Sequence, residues 1–215
     1  INWRGGVKAM SYLRDPAEIY RESFAAIARE VDLSDFPENL HKIVLRLVHA
    51  IAMPEIIEDI AWEGDVAGAS SSTLAKGAPI IVDANMVLAG IMPDRLPKGV
   101  EVMCSLRDEA VPELAQSLAT TRSAAAVELW RPHLEGAIVA IGNAPTALFH
   151  LIDMLADTDC PRPAAIFAFP VGFIGAAESK AYLIEKELGS PYITLKGRKG
   201  GSALAAAAVN AVLFE

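Results

Sequence analysis

The sequence predicts a three-layer α/β/α sandwich with a mainly parallel sheet of about five strands, preceded by two helices. Three observations carry that expectation. Five short apolar, β-branched runs follow one another after residue 76: APIIVD, VEVMCSL, GAIVAIG, PAAIFAF and PYITLK. Each is followed by a turn signal and a helical segment, and strands alternating with helices call for parallel pairing with both sheet faces covered. Before residue 76 the apolar residues recur at helical spacing instead.

The first helix starts at Asp15-Pro16, with Asp as N-cap and Pro in the first helical position. Tyr20, Phe24, Ile27 and Val31 form its apolar stripe, and Ser23 sits within that stripe. A second helix begins near Pro37 and runs until Pro54 breaks it. From Ile43 to Met53 it is apolar nearly all round, except for Arg46 and His49, which predicts a buried helix. The two helices are expected outside the sheet core or in a neighbouring subunit's site. No linker, repeat or low-complexity segment divides the chain, so one domain over residues 1–215 is expected. The Ala-rich 203–208 run reads as a closely packed helix, capped by Ser202.

With 53% hydrophobic and 21% charged residues the chain is a folded protein, not a disordered one. Its formal net charge of -8 argues against general binding to nucleic acid or to an anionic membrane. Cys104 and Cys160 lie far apart without a CxxC, and the four histidines show no metal-ligand spacing. Two free thiols in a reducing cytosol are expected. The opening INWRGGVKAM does not read as a signal peptide. The apolar tail SALAAAAVNAVLF falls short of the about 20 residues a membrane span needs, so a soluble, cytoplasmic protein is expected.

Three strand-to-helix junctions are rich in small residues: AIGNAPTALFH, FPVGFIGAAESK and LKGRKGGSALAAAA. Ligands of open parallel sheets sit beyond the strand carboxyl ends, where helix N-termini favour anions. None of the junctions carries the G-x-x-x-x-G-K-[ST] or G-x-G-x-x-G pattern, so a nucleotide phosphate is a poor fit. No G-x-S-x-G elbow supports a nucleophilic hydrolase. Each junction alone reads as a plain turn. Three together, beside Lys180, Arg198 and Lys199, point to an anion-binding face that could hold carboxylates.

His49 has two readings. A lone histidine on an apolar helix is by default a satisfied core residue. Alternatively, a buried imidazole beside Arg46 stays neutral until a polyanionic ligand arrives, then becomes a general acid in the complex. His41, His133 and His150 lack comparable context and read as structural or surface residues. Arg122 follows Thr120 and Thr121 at a helix start. It either pairs bidentately with a ligand carboxylate or sits in an exposed salt bridge.

Taken together, GNAPTALF, PVGFIGAAESK, GRKGGSALAAAAVNA, TTRSAAA, SLRDEAVPELA and DPAEIYRESFAAI resemble the precorrin-8X methylmutases of cobalamin biosynthesis, in the same order from about Tyr12 to Phe214. The resemblance implies an isomerase that moves a methyl group from C-11 to C-12 of precorrin-8X, giving hydrogenobyrinic acid, or the same step on the cobalt-containing counterpart. It also implies a homodimer that needs no organic cofactor and no protein-bound metal. By resemblance, His49 of RLVH takes the proton-donor role, Ser23 of RESFA contacts substrate, and so does Arg122 of TRSAAA. Members of the aerobic branch often carry Cys-Gly two residues beyond the histidine, where this chain has Ile51-Ala52. A different class of protein, a corrinoid carrier without catalysis, would also bind the ring; turnover separates the two. A phosphate-ligand α/β enzyme would bind nucleotide, and the missing phosphate-loop pair speaks against it.

Overall fold

A computed structural model describes residues 12–213. The INWRGGVKAM segment and Phe214 lie outside the described residues. The two leading helices are α1 (Pro16–Glu30) and α2 (His41–Ile51). The Asp15 side chain accepts the Glu18 N–H at 2.7 Å, so the sequence-predicted N-cap is in place. A strand β1 (Ile60–Glu63) and helix α3 (Val66–Ala75) follow. The alternating region then runs β2 (Ile80–Val82), α4 (Asn85–Gly90), β3 (Val102–Met103), α5 (Val111–Ser117) and α6 (Arg122–Glu128). It continues through β4 (Ile138–Ile141), α7 (Pro145–Leu155), β5 (Ala165–Ala168), α8 (Ala176–Glu185), β6 (Tyr192–Leu195) and α9 (Ser202–Leu213).

Among the described residues the strands form one six-stranded sheet, ordered β1-β6-β5-β4-β2-β3. The five predicted strands are its parallel members. The sixth, β1, pairs antiparallel with β6 and covers that edge, with Ala61 opposite Thr194 and Trp62 opposite Ile193. Strands β2, β4, β5 and β6 are buried along their whole length, as layers on both faces require. Successive residues feed opposite cores. Ile80, Val82, Ile138, Ala140, Phe167 and Ile193 join the layer of α2, α3, α4 and α9. Ile81, Val139, Ile141, Ile166 and Ala168 join the layer of α6, α7 and α8.

Helix α2 corrects one expectation. It is amphipathic, not buried all round: Ile43, Val44, Leu47 and Val48 pack into the core, while Lys42, His49 and Ala50 are exposed. Its apolar face contacts α9, and Lys42 and Ile43 stand near Ala211 and Val212, so the two helices run antiparallel. The His49 end of α2 therefore lies towards Ser202, at the carboxyl-end rim of the sheet. Ser202 is the first helical residue of α9, and the Gly201 carbonyl accepts the Ala205 N–H at 3.1 Å; Ser202 is thus inside the helix and not its cap. Helix α1 contributes no fully buried residue and rests on α2 through half-buried Phe24 and Ile27.

Candidate active site at the α1–α2 cleft

The apolar stripe of α1 brings Tyr20 and Phe24 against the outer face of α2. The Phe24 and His49 rings stack, with centroids 4.9 Å apart and 23° between planes. Phe24 also meets Tyr20 at 4.5 Å. One turn before His49, the Arg46 guanidinium lies 5.5 Å from both aromatic centroids, and its Nη2 donates to the Tyr20 hydroxyl at 3.1 Å. Tyr20, Phe24, Lys42, Leu45, Arg46 and Arg95 line a cleft of about 530 Å³. That volume falls within the roughly 300–1,000 Å³ of small-molecule sites. Its walls are aromatic and its charged groups are cations, which suits a flat apolar ligand carrying carboxylates.

Ser23 is half-buried on α1, next in sequence to the Phe24 that stacks on His49. Phe24 thus links the two: it stacks on His49, lines the cleft, and is the sequence neighbour of Ser23. Arg122 is placed differently. It is exposed at the first turn of α6, in the opposite layer, where Thr121 caps the helix through the Ala124 N–H at 3.1 Å. Thr121 Oγ1 lies 2.8 Å from Thr146 Oγ1 at the start of α7, which puts Arg122 at the carboxyl-end rim as well. His49 is exposed, so neither a satisfied core residue nor a buried imidazole describes it.

The three small-residue junctions leave β4, β5 and β6 at this rim, and all three differ from the expected anion-binding face. A doubly wound sheet opens a crevice where neighbouring strands lead to helices on opposite faces. Two such places, between β2 and β4 and between β5 and β6, are closed by the chain's own groups. In the first, the Asp83 carboxylate accepts the N–H groups of Gly142, Asn143 and Ala144 at 2.8, 3.0 and 2.8 Å. An internal carboxylate fills the turn that a ligand anion would need. Burial pushes the Asp83 carboxyl up from its ordinary range, and the three N–H bonds pull the other way.

The second crevice is stitched by backbone. Gly201 N donates to the Phe169 carbonyl at 2.8 Å and Gly172 N to the Arg198 carbonyl at 3.3 Å. A Cβ at Gly200 would collide with the Phe169 and Pro170 carbonyl oxygens, so glycine is required there. Lys180, expected at a ligand surface, is instead fully buried, with its ammonium donating to the Lys199 carbonyl at 2.5 Å. Burial lowers its pKa to about 8, against the pull of Asp59. Lys199 faces Asp59 at 3.6 Å. Arg198 lies over the Phe173 ring at 5.6 Å. The loop before α8 therefore does not cradle an anion; it presents Phe173 and Ile174 to solvent, 85% and 90% exposed.

The remaining histidines have structural partners or lie in turns: His41 Nε2 is 3.0 Å from the Phe36 carbonyl, and His150 Nε2 is 2.6 Å from Glu128. Cys104 and Cys160 are free thiols. Among the described residues, no group of three or more His, Cys, Asp or Glu has the geometry to hold a metal ion. Sequence reasoning missed Asp83, Tyr20 and Phe24 as site-shaping residues. The available signal for Asp83 was an acid placed directly after an all-apolar strand, IIVD.

The sequence profile described as precorrin-8X methylmutase matches residues 18–215. The precorrin-8X methylmutase of Pseudomonas aeruginosa is 49% identical over 206 residues, covering 96% of this chain and 99% of that protein. The cobalt-precorrin-8 methylmutase of Priestia megaterium is 35% identical over 198 residues, covering 92% of this chain and 87% of that protein. A crystal structure of precorrin-8X methylmutase from Thermus thermophilus superposes with a TM-score of 0.81 at 36% identity, covering 92% of this chain and 94% of that one. With matches at this identity running nearly end to end, the chain belongs to the precorrin-8X methylmutase family.

Proposed function

We propose that this chain isomerises precorrin-8X by moving the methyl group on C-11 to C-12, giving hydrogenobyrinic acid in cobalamin biosynthesis. The observation that carries the reading is the His49 ring, exposed and stacked on Phe24 beside an aromatic cleft with cationic walls. His49 is the proton donor. A ring edged with carboxylates favours imidazolium beside it. Transfer of that proton to the macrocycle near ring C draws electron density from the conjugated system and promotes the 1,5-shift. Ser23 contacts the substrate from α1, and Arg122 pairs with a peripheral carboxylate from the rim.

The metal-free substrate is favoured by identity, 49% to a precorrin-8X methylmutase against 35% to a cobalt-precorrin-8 methylmutase. The enzyme works as a homodimer built from one domain per chain. Support for the dimer comes from α1, which buries none of its residues fully and leaves Ile19 and Tyr20 exposed, as are Tyr12 and Leu13 just before it. A cytoplasmic location accords with the described residues, none of whose helices is long and apolar enough to cross a membrane.

The test is single-turnover absorbance spectroscopy with metal-free and cobalt-loaded substrate, on the native chain and on His49→Ala. The native chain converts precorrin-8X. His49→Ala loses turnover by at least about a hundredfold, the scale of a lost general acid, while still binding corrinoid. Normal turnover by the variant would refute the proton-donor role. Binding without any spectral change by the native chain would make the protein a carrier instead.

A further inference from the structure

A buried lysine is costly to keep, because desolvation disfavours its charge, so a retained one calls for a reason. Lys180 is 0% exposed on α8, and its ammonium holds the Lys199 carbonyl in the turn between β6 and α9. That turn is tied to the loop before α8 by the Gly172–Arg198 and Gly201–Phe169 backbone bonds and by the close approach at Gly200. The two joined loops carry Phe173 and Ile174, almost fully exposed, and Arg198 stacked over Phe173. An apolar plane with a guanidinium at its edge is complementary to an apolar ring fringed with carboxylates. Both loops lie at the carboxyl ends of β5 and β6, where sheets of this class receive ligands.

We propose that Lys180 is a positioning residue: by clasping the Lys199 carbonyl it locks the two loops together and so holds Phe173, Ile174 and Arg198 in the arrangement that receives the corrinoid ring. The inference rests on the methylmutase reading for its ligand, and concerns residues that reading leaves without a role. Lys180 itself never meets substrate. Its contribution is the fixed relation of the two loops, which lowers the ordering that binding would otherwise demand.

The decisive variant is Lys180→Met, which keeps length and volume but removes the charge and the donor. A residue that serves stability alone predicts that melting temperature, KM and kcat all deteriorate together. A positioning residue predicts a separation. The expected result is a melting temperature equal to or above that of the native chain and a kcat within about threefold of it. KM for precorrin-8X and Kd for hydrogenobyrinic acid each rise about tenfold, a loss of the size one immobilised contact region supplies. Lys180→Arg restores part of the affinity. Hydrogen exchange at the Gly172 and Gly201 amides quickens in Lys180→Met, a readout that needs no turnover. Unchanged KM, Kd and exchange would overturn the proposal, as would a parallel loss of stability, KM and kcat. Absence of turnover in the native chain would instead sink the methylmutase reading, and the exchange measurement would still decide whether Lys180 joins the loops.

Discussion

Two buried charges set the local chemistry of the rim, and their energetics differ in sign from a surface ion pair. Lys180 has a folded-state pKa of about 8 against an ordinary 10.5. Between those values the unfolded chain holds the extra proton, so stability rises with pH across that window. Below pH 8 the buried charge costs about 3 kcal/mol, judged from the size of the shift. Urea unfolding at pH 7.5 and pH 10 checks this: relative to Lys180→Met, the native chain gains stability at the higher pH. Asp83 behaves as an internal ligand. Asp83→Ala strands two buried N–H groups and a partly buried third, and is expected to lower unfolding free energy by about 3 kcal/mol, measured from the urea midpoint. RLVH singles out His49 only by resemblance, and the His49→Ala measurement decides it, whereas the function of Asp83 needed β2 and β4 to be seen side by side.

At the scale of single elements, α2 decides what the site can be. Its pattern of Ile43, Val44, Leu47 and Val48 buries one stripe, and the residues between them keep His49 in solvent. The sequence overstated burial because Ala50, Ile51 and Ala52 follow His49 as an apolar run, although the helix is already ending there. Ala52 terminates α2 in the left-handed region, φ 54, a position where glycine is preferred. Ala52→Gly is expected to stabilise the chain by about 0.5–1 kcal/mol, seen as a higher urea midpoint with an unchanged slope. Strand β1 escaped notice for a related reason. Its four residues, IAWE, include a charged one and sit directly after a 3-10 turn, so period and length both fall below a recognisable strand signal.

Across the whole molecule, the sheet topology settles where a ligand can go. The crevices between β2 and β4 and between β5 and β6 are occupied from within, by Asp83 in one and by the joined loops in the other. The proposed reading accordingly gives a large ring the outer rim and the α1–α2 cleft. The net charge of -8 adds a repulsive far field for a polycarboxylate. Association should accordingly speed up by about two- to threefold as salt is raised from 10 to 150 mM, because the Debye length shrinks from about 30 to 8 Å. Stopped-flow absorbance with hydrogenobyrinic acid measures it. A fall in the rate with salt would mean that Arg46, Arg95 and Lys42 dominate the approach.

The layer architecture, the five parallel strands and the helix start at Asp15-Pro16 were legible in the chain itself, because strand period, turn residues and capping chemistry are local properties. Family membership was legible for the same reason, in ordered short motifs such as RLVH and TTRSAAA. What glycine-rich junctions hold is not local. GNAPT and GRKGG bear the marks of anion cradles, yet their partners are Asp83, 59 residues before Gly142, and the Phe169 backbone of another loop. Only the packed sheet, by bringing β2 beside β4 and β5 beside β6, decided that these turns grip the protein and leave the rim to the ligand.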